Sequence, residues 1–486
     1  MRQRWGLIAV IAVISFFTGG WLLQRTGGTD SIRQERLFDD VLSHVSAYYV
    51  DSIPQSELYR KATTGLLEQL KDPYSLLLVA DDYRQLTETT TGNYGGLGIQ
   101  IDVRDGWITV VAPLPDTPAE RAGIETGDQI IAVDGRSTKG WSSEQAVKAL
   151  RGEAGSSVKL QVRRAGMADE IPYQLTRATV HVRSVPPGNL FTGGIGYISL
   201  NPVAESSTEE LTAEMDRMLG KGMKSLILDL RGNPGGLLDQ GVKVADLFLD
   251  PKQEIVATRG RARGATKTFV DGAPQAWGSL PIVVLVNDGT ASAAEIISGA
   301  LQDHDRAVVV GVPTFGKGLV QTLFPFSSDV ALKLTTGRWY TPSGRTIQRA
   351  ARSEEDQARV AAHEADGVVD SVAEDTVARP VYHTDSGRPV RGGGGIVPDL
   401  TVRQDSLSTA ERALATALAA KFIEYRDAIT STALQIKNDH GVSREDFTVT
   451  PAMRAEVLRR MREKGVSVSD EMFDAAQSLV NEQLGY

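Results

Sequence analysis

Ser292 and Lys317 stand in surroundings that could support hydrolysis through a covalent intermediate. Ser292 follows the apolar, strand-like run 281–286 and begins a helical pattern, whereas Lys317 lies in a turn between Gly316 and Gly318. A serine at a helix N-terminus is next to free backbone N–H groups, which stabilise developing negative charge. A lysine can serve such a serine as its base. The two residues together therefore indicate a serine/lysine hydrolase.

Each of these residues has a simpler interpretation when it is taken alone. Ser292 and Glu295 fit the capping-box pattern, in which the serine only caps a helix. The run 311–317 matches most of a phosphate-binding P-loop and ends in its lysine. The next residue should be serine or threonine and should begin a helix, but it is Gly318, and a strand-like run follows. The nucleotide-binding alternative is therefore disfavoured, whereas the capping alternative stays open.

A lysine that acts as a base near pH 7 must be neutral, which requires its pKa to fall by roughly three units from about 10.4. Burial among apolar groups can lower the pKa by this amount, and Phe315, Leu319 and Val320 are sequence neighbours of Lys317. Gln321 lies four residues after the lysine, on the same face of a strand or a helix. Its neutral amide could orient the amine without restoring the charge.

The segment Asp229–Gly236 ends another apolar strand in a glycine-rich loop. Glycines in such a loop leave backbone N–H groups free to bind an anion. Placed beside Ser292, the loop would complete an oxyanion hole with the N–H of Ala293. A plain strand-to-helix turn is the alternative.

The composition excludes several classes of protein. There is no cysteine, which rules out thiol catalysis, thiolate metal sites and disulfides. The six histidines form no His-x-x-x-His pair, so we expect no metal site and no cofactor. The formal net charge of −9 gives no reason to expect a nucleic-acid partner.

Residues 1–30 have the character of an N-terminal membrane segment. Arg2 and Arg4 precede an uncharged, mainly apolar run from residue 5 to residue 24. This length matches the ~20 residues that cross a bilayer, with the positive charges on the cytoplasmic side. We expect an uncleaved single-pass anchor in the cell membrane, with a cleaved signal peptide as the alternative. In both cases the rest of the chain faces the periplasm or another extracytoplasmic space.

The remaining chain divides into segments by its pattern. Residues 31–91 are helical, and residues 92–177 contain short alternating strands with two helices. Residues 178–402 alternate buried apolar strands with helices, which predicts an α/β layer structure. Near 350–392 the periodicity fails and acidic residues accumulate, so we expect a solvated or disordered insertion. Residues 403–486 are helical again, and the fold class is multidomain α/β.

Several motifs of the chain together resemble those of the carboxyl-terminal processing proteases, also called tail-specific proteases. The motifs are Asp229–Gly236, Thr290–Glu295, Ala300–Asp303, Thr314–Gln321, Leu334–Thr336, Tyr340–Arg345 and Gly395–Asp399. The resemblance implies a Ser/Lys protease core of the α/β ClpP/crotonase-like fold. The family's outer serines are replaced here by Thr290 and Ala294, whereas its middle serine is kept as Ser292.

The resemblance also implies roles for individual residues. The family's nucleophile falls on Ser292, its general base on Lys317 and its supporting glutamine on Gln321. The oxyanion donors fall on the backbone N–H of Ala293 and on the Gly235–Gly236 turn.

Residues 92–177 resemble a PDZ domain. The motifs that carry this resemblance are Gly95–Ile99, Thr117–Ile124 and Gly127–Gly135. PDZ domains bind the C-terminal carboxylate of a peptide on backbone N–H groups, while the peptide adds a strand to the edge of the sheet. The resemblance places the carboxylate site at Leu97, Gly98 and Ile99.

The motifs together predict a serine endopeptidase that captures the free C-terminus of a protein or peptide through a PDZ domain and forms an acyl-enzyme on Ser292. The membrane is the second expected partner, through the N-terminal segment. A catalytically silent PDZ scaffold on the same fold is the alternative, which the intact Ser292, Lys317 and Gln321 argue against. The two helical ends, residues 31–91 and 403–486, are suited to contacts in a homo-oligomer.

Overall fold

The computed structural model describes residues 28–164, 166–278, 280–349, 379–402, 407–438 and 447–485. The apolar run of the predicted membrane segment lies outside these ranges, as does most of the acidic insertion. Over the described ranges, no helix combines the length and the apolar character that a membrane span requires. The chain forms two compact units.

Helices and strands follow one another along the described residues. The helices are α1 (Gly28–Tyr48), α2 (Gln55–Glu68), α3 (Asp81–Thr91), α4 (Pro118–Arg121), α5 (Ser143–Leu150), α6 (Ser207–Gly220), α7 (Leu238–Asp246), α8 (Ala293–Asp303), α9 (Thr409–Leu418), α10 (Phe422–Asn438), α11 (Pro451–Glu463), α12 (Asp470–Ala475) and α13 (Gln477–Gly485). The strands are β1 (Leu76–Val79), β2 (Asn93–Gly96), β3 (Ile99–Arg104), β4 (Trp107–Pro113), β5 (Gln129–Val133), β6 (Arg136–Ser137), β7 (Ser157–Arg163), β8 (Ile171–Thr176), β9 (Ala178–His181), β10 (Asn189–Phe191), β11 (Ile195–Ser199), β12 (Ser225–Asp229), β13 (Glu254–Gly260), β14 (Lys267–Val270), β15 (Ile282–Val286), β16 (Val308–Gly311), β17 (Leu319–Pro325), β18 (Val330–Tyr340), β19 (Val381–His383), β20 (Pro389–Arg391) and β21 (Leu400–Thr401).

The first unit comprises the described residues 28–87 together with Val256–Phe269 and Gly318–Tyr340. Its sheet has the strand order β1-β18-β13-β14, and β17 also pairs with β18. The long strand β18 pairs antiparallel with β1, β13 and β17. Strand β18 is therefore the central strand of this unit, because β1, β13 and β17 all form backbone hydrogen bonds with it.

The segment 31–91, predicted to be helical, contains the strand β1. This strand pairs with the beginning of β18, and the hydroxyl of Ser75 just before it supports the pairing. Ser75 Oγ accepts the N–H of Thr335 at 3.1 Å and donates to Asp72 Oδ2 at 2.5 Å. The helical prediction is wrong for β1. A run of four apolar residues has no periodicity of its own, so its conformation is set by its pairing partner.

The second unit contains the sheet that the apolar runs of the sequence predict. Its strand order is β10-β11-β12-β15-β16-β21, and the pairs from β11 to β21 are parallel. Strands β12 and β15 consist mainly of Leu, Ile and Val, as expected for a parallel sheet covered on both faces. Every residue of α8 is buried. The α/β prediction is confirmed here.

A second sheet of this unit has the order β3-β4-β5-β7-β8, with β6 paired to β5. Strand β7 alternates regularly, and its inward residues Val158, Leu160 and Val162 form a core with Ile108 and Ile130. Strands β2 and β9, which lead into and out of this sheet, pair antiparallel with each other. Strand β3 lies at the edge, with β4 as its neighbour.

Part of the predicted insertion forms a hairpin of β19 and β20. Asp385 in its turn lies 2.7 Å from His304 Nδ1, and Arg388 pairs with Asp305 at 2.6 Å and with Asp399 at 2.5 Å. Burial alone would raise the pKa of Asp305, but its bonds from the hairpin lower that pKa to about 2. The expectation of a solvated or disordered segment is therefore wrong for 379–392, whereas residues 350–378 lie outside the described ranges.

The C-terminal segment is helical, as predicted. Helices α9 to α13 enclose a core of their own that includes Leu414, Tyr425, Val457, Met461 and Phe473. A separate core of this kind marks the segment as a module.

Candidate active site

The candidate catalytic loops follow two neighbouring parallel strands, β12 and β15. Parallel strands end at the same edge of a sheet, so the two loops lie side by side. Asn287 Oδ1 accepts the N–H of Gly232 at 2.8 Å, and the N–H of Ala291 donates to Asn233 O at 2.9 Å. These bonds hold the glycine-rich loop against the approach to α8.

Ser292 precedes the first residue of α8 in a backbone conformation that is rare for serine. Its φ is 52° and its ψ is −116°, and Glu295 at the third helical position accepts its N–H in the capping-box pattern. An ordinary capping residue has an extended backbone, and its side-chain oxygen accepts a backbone N–H of the first helical turn. A capping role alone therefore does not account for the backbone conformation of Ser292. Strained conformations of this kind cluster at functional sites.

Glu295 is a buried carboxylate that joins the segments of Ser292 and Lys317. Its Oε2 accepts the N–H of Ser292 at 2.8 Å and the N–H of Lys317 at 2.9 Å. Its Oε1 accepts the hydroxyl of Thr314 at 2.5 Å and the N–H of Gly316 at 2.7 Å. Burial raises the pKa of Glu295, and its four hydrogen bonds oppose that rise by favouring the ionised form. One side chain thus fixes the lysine turn relative to the serine backbone.

Lys317 is half-buried at the end of the turn Thr314–Lys317. Gly316 has a φ of 88°, and a Cβ at this position would lie 2.9 Å from the nitrogen of Gly395. The chain continues from Gly318 directly into the strand β17. The P-loop alternative is wrong for this segment, because a phosphate-binding loop of that kind runs into a helix N-terminus.

Gln321 lies on β17, in the first unit. The pairing of β17 with β18 shifts in register between Val320 and Gln321, and such bulges re-aim side chains. The amide nitrogen of Gln321 is buried and has no hydrogen-bond partner among the residues that the structure describes. Native structures rarely leave a buried donor unpaired, and catalytic sites are among the places where they do.

The Gly235–Gly236 turn packs against the backbone of Ala291–Ala293. A Cβ on Gly235 would lie 2.6 Å from the oxygen of Ala291, so only glycine fits there. The N–H of Gly235 already donates to Asn233 Oδ1 at 2.9 Å. Ala293 is the first residue of α8, where an N–H has no acceptor within the helix.

Leu97, Gly98 and Ile99 lead into the edge strand β3. The carbonyl of Leu97 accepts the N–H of Ala119 at 3.0 Å, and Gly98 has a φ of 73°, where a Cβ would lie 2.3 Å from Thr117 Cβ. Helix α5 contacts β3. An edge strand beside a helix is the arrangement in which a peptide can add a further strand.

Sequence reasoning gave no role to Tyr197 or Arg231. Asp229 accepts the hydroxyl of Tyr197 at 2.7 Å and the guanidinium of Arg231 at 2.6 Å. Burial would raise the pKa of Asp229, but the bonds from Arg231 and Tyr197 lower it. The spacing Asp-x-Arg was a usable signal for the ion pair, whereas Tyr197 comes from β11 and required the strand pairing.

Metal-ligating side chains do not gather at this site. Across the described ranges, no group of three or more His, Cys, Asp or Glu residues has an arrangement that could hold a metal ion.

Comparison with known proteins places the chain in a family. The family model for peptidase family S41 matches residues 194–356, and that for the PDZ domain matches residues 109–164. A carboxy-terminal-processing protease of Bartonella bacilliformis is 39% identical over 323 residues, which cover 66% of this chain and 74% of that protein. The chain belongs to the carboxy-terminal processing proteases of peptidase family S41.

Further relatives of this family include the carboxy-terminal processing protease CtpA of Bacillus subtilis. It is 34% identical over 344 residues, which cover 70% of this chain and 73% of CtpA. Among solved structures, the photosystem II D1 C-terminal processing protease aligns with 78% of this chain and 90% of its own, at 26% identity and a TM-score of 0.39.

Membership of the family confirms the predicted class of activity. The chain is a serine protease of the carboxy-terminal processing type and carries a PDZ domain. The catalytically silent scaffold finds no support in these comparisons.

Proposed function

We propose that Ser292 is the nucleophile of this protease, Lys317 its general base and Gln321 the residue that orients the lysine amine. Lys317 takes the hydroxyl proton as Ser292 Oγ attacks the carbonyl carbon of the substrate peptide bond. The C–N bond then breaks, the proton passes to the leaving amine, and an ester joins the substrate to Ser292. Water that Lys317 deprotonates hydrolyses this ester, which releases the product and restores the serine.

The observation that supports this assignment most directly is the shared acceptor Glu295. A single oxygen, Oε2, accepts the backbone N–H groups of both Ser292 and Lys317. Both N–H groups lie within 3 Å of this oxygen, so the segments of Ser292 and Lys317 are neighbours in space. In the sequence, a helix and a strand separate them. The backbone of Ser292 supports the same assignment, because its φ of 52° is not the extended conformation of an ordinary capping residue.

For the oxyanion hole we propose the N–H of Ala293 and the Gly235–Gly236 turn. Because the N–H of Gly235 is held by Asn233, we expect Gly236 to be the donor from this turn. Gly235 has no side chain, and this allows the turn to lie close to Ser292.

The substrates that we propose are proteins or peptides with a free C-terminus. Backbone N–H groups of Leu97, Gly98 and Ile99 bind the terminal carboxylate, and the peptide pairs with the free edge of β3. The bound tail then holds an upstream peptide bond near Ser292.

Cleavage of an unfolded protein with an apolar C-terminal tail tests the catalytic assignment. We expect Ser292→Ala and Lys317→Ala to reduce kcat by at least about 1000-fold. Ser298→Ala is the matched control, because Ser298 lies on the same helix and its buried hydroxyl donates to Ala294 O within that helix. If Ser292→Ala or Lys317→Ala cleaves as fast as the parent, the assignment fails.

Binding of a fluorescent peptide to the Ser292→Ala variant tests the tail-binding proposal without cleavage. We expect a peptide with a free terminal carboxylate to bind at least about tenfold more tightly than the same peptide with an amidated C-terminus. Equal affinities of the two peptides would contradict the assignment of a carboxylate site to Leu97, Gly98 and Ile99.

We also propose that residues 1–30 anchor the protease in the cell membrane with its catalytic core on the periplasmic or extracytoplasmic side. The charge pattern of the segment supports this topology. Protection of the core from added protease in spheroplasts, whose outer membrane has been opened, would contradict the topology. An N-terminus of the mature protein beyond residue 24 would show cleavage of a signal peptide.

We retain the division into residues 31–91, 92–177, 178–402 and 403–486 as a proposal for the domain boundaries. Separate cores for the β-rich and C-terminal segments support the second and the last of these ranges. Limited proteolysis should cut first near the proposed boundaries.

A further inference from the structure

Arg349 is the last described residue before the segment 350–378, and its side chain binds the turn that carries Lys317. Its Nε donates to the carbonyl oxygen of Phe315 at 3.1 Å, and its Nη2 donates to the carbonyl oxygen of Thr314 at 2.9 Å. The backbone N–H of Arg349 donates to the oxygen of Gly316 at 2.9 Å. Three consecutive carbonyls of the turn are thus held by one residue.

The lysine turn lies between a cation and an anion. Its carbonyls at residues 314 and 315 accept from the guanidinium of Arg349, whereas its N–H groups at residues 316 and 317 donate to the carboxylate of Glu295. Hydrogen bonds to charged groups are roughly twice as strong as neutral ones. The carbonyl groups of the turn therefore face a positive charge, and its N–H groups face a negative charge.

Arg349 also connects the two ends of the acidic insertion. Its Nη2 donates to the carbonyl oxygen of Gly394 at 3.1 Å, on the segment where the chain returns. The returning segment also bonds to the turn directly, since the N–H of Ile396 donates to Thr314 Oγ1 at 2.7 Å. The returning segment therefore contacts both Arg349 and the turn that Arg349 binds.

We propose that Arg349 is a positioning residue for Lys317, which acts by fixing the carbonyl side of the lysine turn. The inference rests on the proposed role of Lys317 as the base. A guanidinium suits this task better than an ammonium, because its planar fork can donate to several carbonyls in fixed directions. Arg349 acts through the turn and contacts no reacting atom.

Steady-state cleavage by the full-length protease tests the proposal, with Arg349→Ala and Arg349→Lys compared with the parent. Loss of the fork lets the turn shift, and a displacement of about 1 Å in a catalytic group can cost about 100-fold in rate. We expect Arg349→Ala to lower kcat by about 30- to 100-fold while KM changes by less than about twofold. Arg349→Lys keeps the charge without the fork and should lower kcat by about tenfold.

Arg306 provides a matched control in the same unit. Its guanidinium also donates to three backbone carbonyls, those of Phe248, Trp277 and Leu280, at 2.9 to 3.0 Å. Arg306→Ala removes a comparable set of bonds away from the lysine turn, so it should lower the melting temperature without lowering kcat. Millimolar free guanidinium should restore part of kcat in Arg349→Ala and none in Lys317→Ala.

The outcomes separate this inference from the proposed function. If the parent cleaves and Ser292→Ala does not, but Arg349→Ala keeps kcat within twofold, the positioning role is refuted and the function stands. Equal losses of kcat in Arg349→Ala and Arg306→Ala would also refute it, since general loosening would then explain both. If Arg349→Ala does not fold, Arg349→Lys tests the positioning role instead. The role then requires that Arg349→Lys lowers kcat without raising KM. A Lys317→Ala variant as active as the parent would refute the function itself.

Discussion

Ser292 depends on its neighbours to keep a backbone conformation with a φ of 52°. A residue with a β-carbon in this region of φ and ψ is strained by of order 1–3 kcal/mol, so contacts with the surrounding structure must maintain the conformation. The carboxylate of Glu295 accepts the N–H of Ser292, and the carbonyl of Asn233 accepts the N–H of Ala291. These two bonds fix the backbone at the strained residue and just before it. The sequence pattern Ser-x-x-Glu was sufficient to find Glu295. Its bonds to Thr314 and the lysine turn could not be predicted, because they depend on how two distant segments pack.

Replacement of Glu295 by glutamine should disable the enzyme without removing the side chain's volume. Each carboxylate oxygen accepts from two donors, so either orientation of an amide places its NH₂ group against two donors. Leaving such groups unpaired in a buried site costs about 1–3 kcal/mol each. We expect kcat to fall by about 100-fold and the melting temperature to fall as well, as measured by peptide cleavage and calorimetry.

The matched control for this substitution is Glu411→Gln. Glu411 completes a capping box with Ser408 on the surface of the C-terminal module, where a glutamine satisfies the same pattern. The control should leave kcat unchanged. A Glu295→Gln enzyme with kcat within threefold of the parent would show that the shared carboxylate does not position the site.

Asp271 should make the folded state less stable as the pH rises. It is 3% exposed, and one of its carboxylate oxygens has no partner in the described part of the chain. Burial, together with the nearby Asp246 and Asp250, raises its pKa from 3.8 to about 6. A carboxyl with a raised folded pKa binds its proton more tightly when folded, so stability falls between about pH 4 and pH 6 and stays lower above that window.

We therefore expect Asp271→Asn to raise the melting temperature at pH 8 by about 2–5 °C, and by less than a third as much at pH 4. Calorimetry at the two pH values checks this prediction. Asp216→Asn, which alters an exposed carboxylate on α6, is the control and should show no such difference. An equal shift at both pH values would mean that the protonation of Asp271 is not responsible.

At the scale of elements, the sequence predicts most of what positions the site. The Val, Ile and Leu runs of β12 and β15 indicate buried parallel strands, and these strands bring the Asp229–Gly236 loop beside the start of α8. Several elements escape prediction, and for some of them the physical reason is clear. The strand β1 and the hairpin β19–β20 are short and take their conformation from partners, such as β18 and the ion pairs around Arg388.

Gly235 tests how closely the two catalytic loops must approach. A Cβ on Gly235 would lie 2.7 Å from Ser292 Cβ and 2.8 Å from the nitrogen of Ala293, at a φ of 90°. We expect Gly235→Ala to reduce kcat by more than about 100-fold, because the loops must separate to make room. Cleavage assays check this loss.

Gly232→Ala in the same loop is the matched control for Gly235→Ala. Gly232 also has a positive φ, at 66°, but a Cβ there would meet open space. It should cost about 1 kcal/mol of stability and leave kcat within about threefold. A similar loss of kcat in both variants would show that backbone strain, and not the close approach, explains the effect.

At the scale of the whole molecule, distant segments meet through charges that no local pattern reveals. Within the second unit, Arg426 pairs with Asp102 at 3.0 Å, and Lys464 pairs with Asp105 at 2.6 Å. The C-terminal module therefore contacts the β3–β4 hairpin of the PDZ domain. Each exposed pair is worth only about 0.2–1 kcal/mol, so these two pairs add little to the stability of the contact.

The helix α1 presents apolar side chains that a monomer leaves in water. Leu37, Phe38 and Val41 are each at least half exposed at helical spacing. We propose that this face forms a contact between copies of the chain, in keeping with the expected homo-oligomer. A double variant Leu37→Glu and Val41→Glu should then lower the molar mass of the detergent-solubilised protein to that of a monomer, as measured by light scattering.

Met167→Glu is the control for this double variant, because it places a charge at another exposed apolar residue. It should leave the mass unchanged. A parent protein that is already monomeric, or a double variant of unchanged mass, would rule out the α1 contact.

The two ends of the acidic insertion meet on the protein. The carbonyl of Thr346 accepts the N–H of Gly393 at 2.7 Å, and the carbonyl of Ile347 accepts the N–H groups of Gly394 and Gly395. The chain thus leaves and re-enters at neighbouring points, and the entropy of closing such a loop grows only with the logarithm of its length. For protein engineering, this junction is a ready insertion site, where a reporter domain or an affinity handle could replace residues 350–378 while the closing bonds are retained.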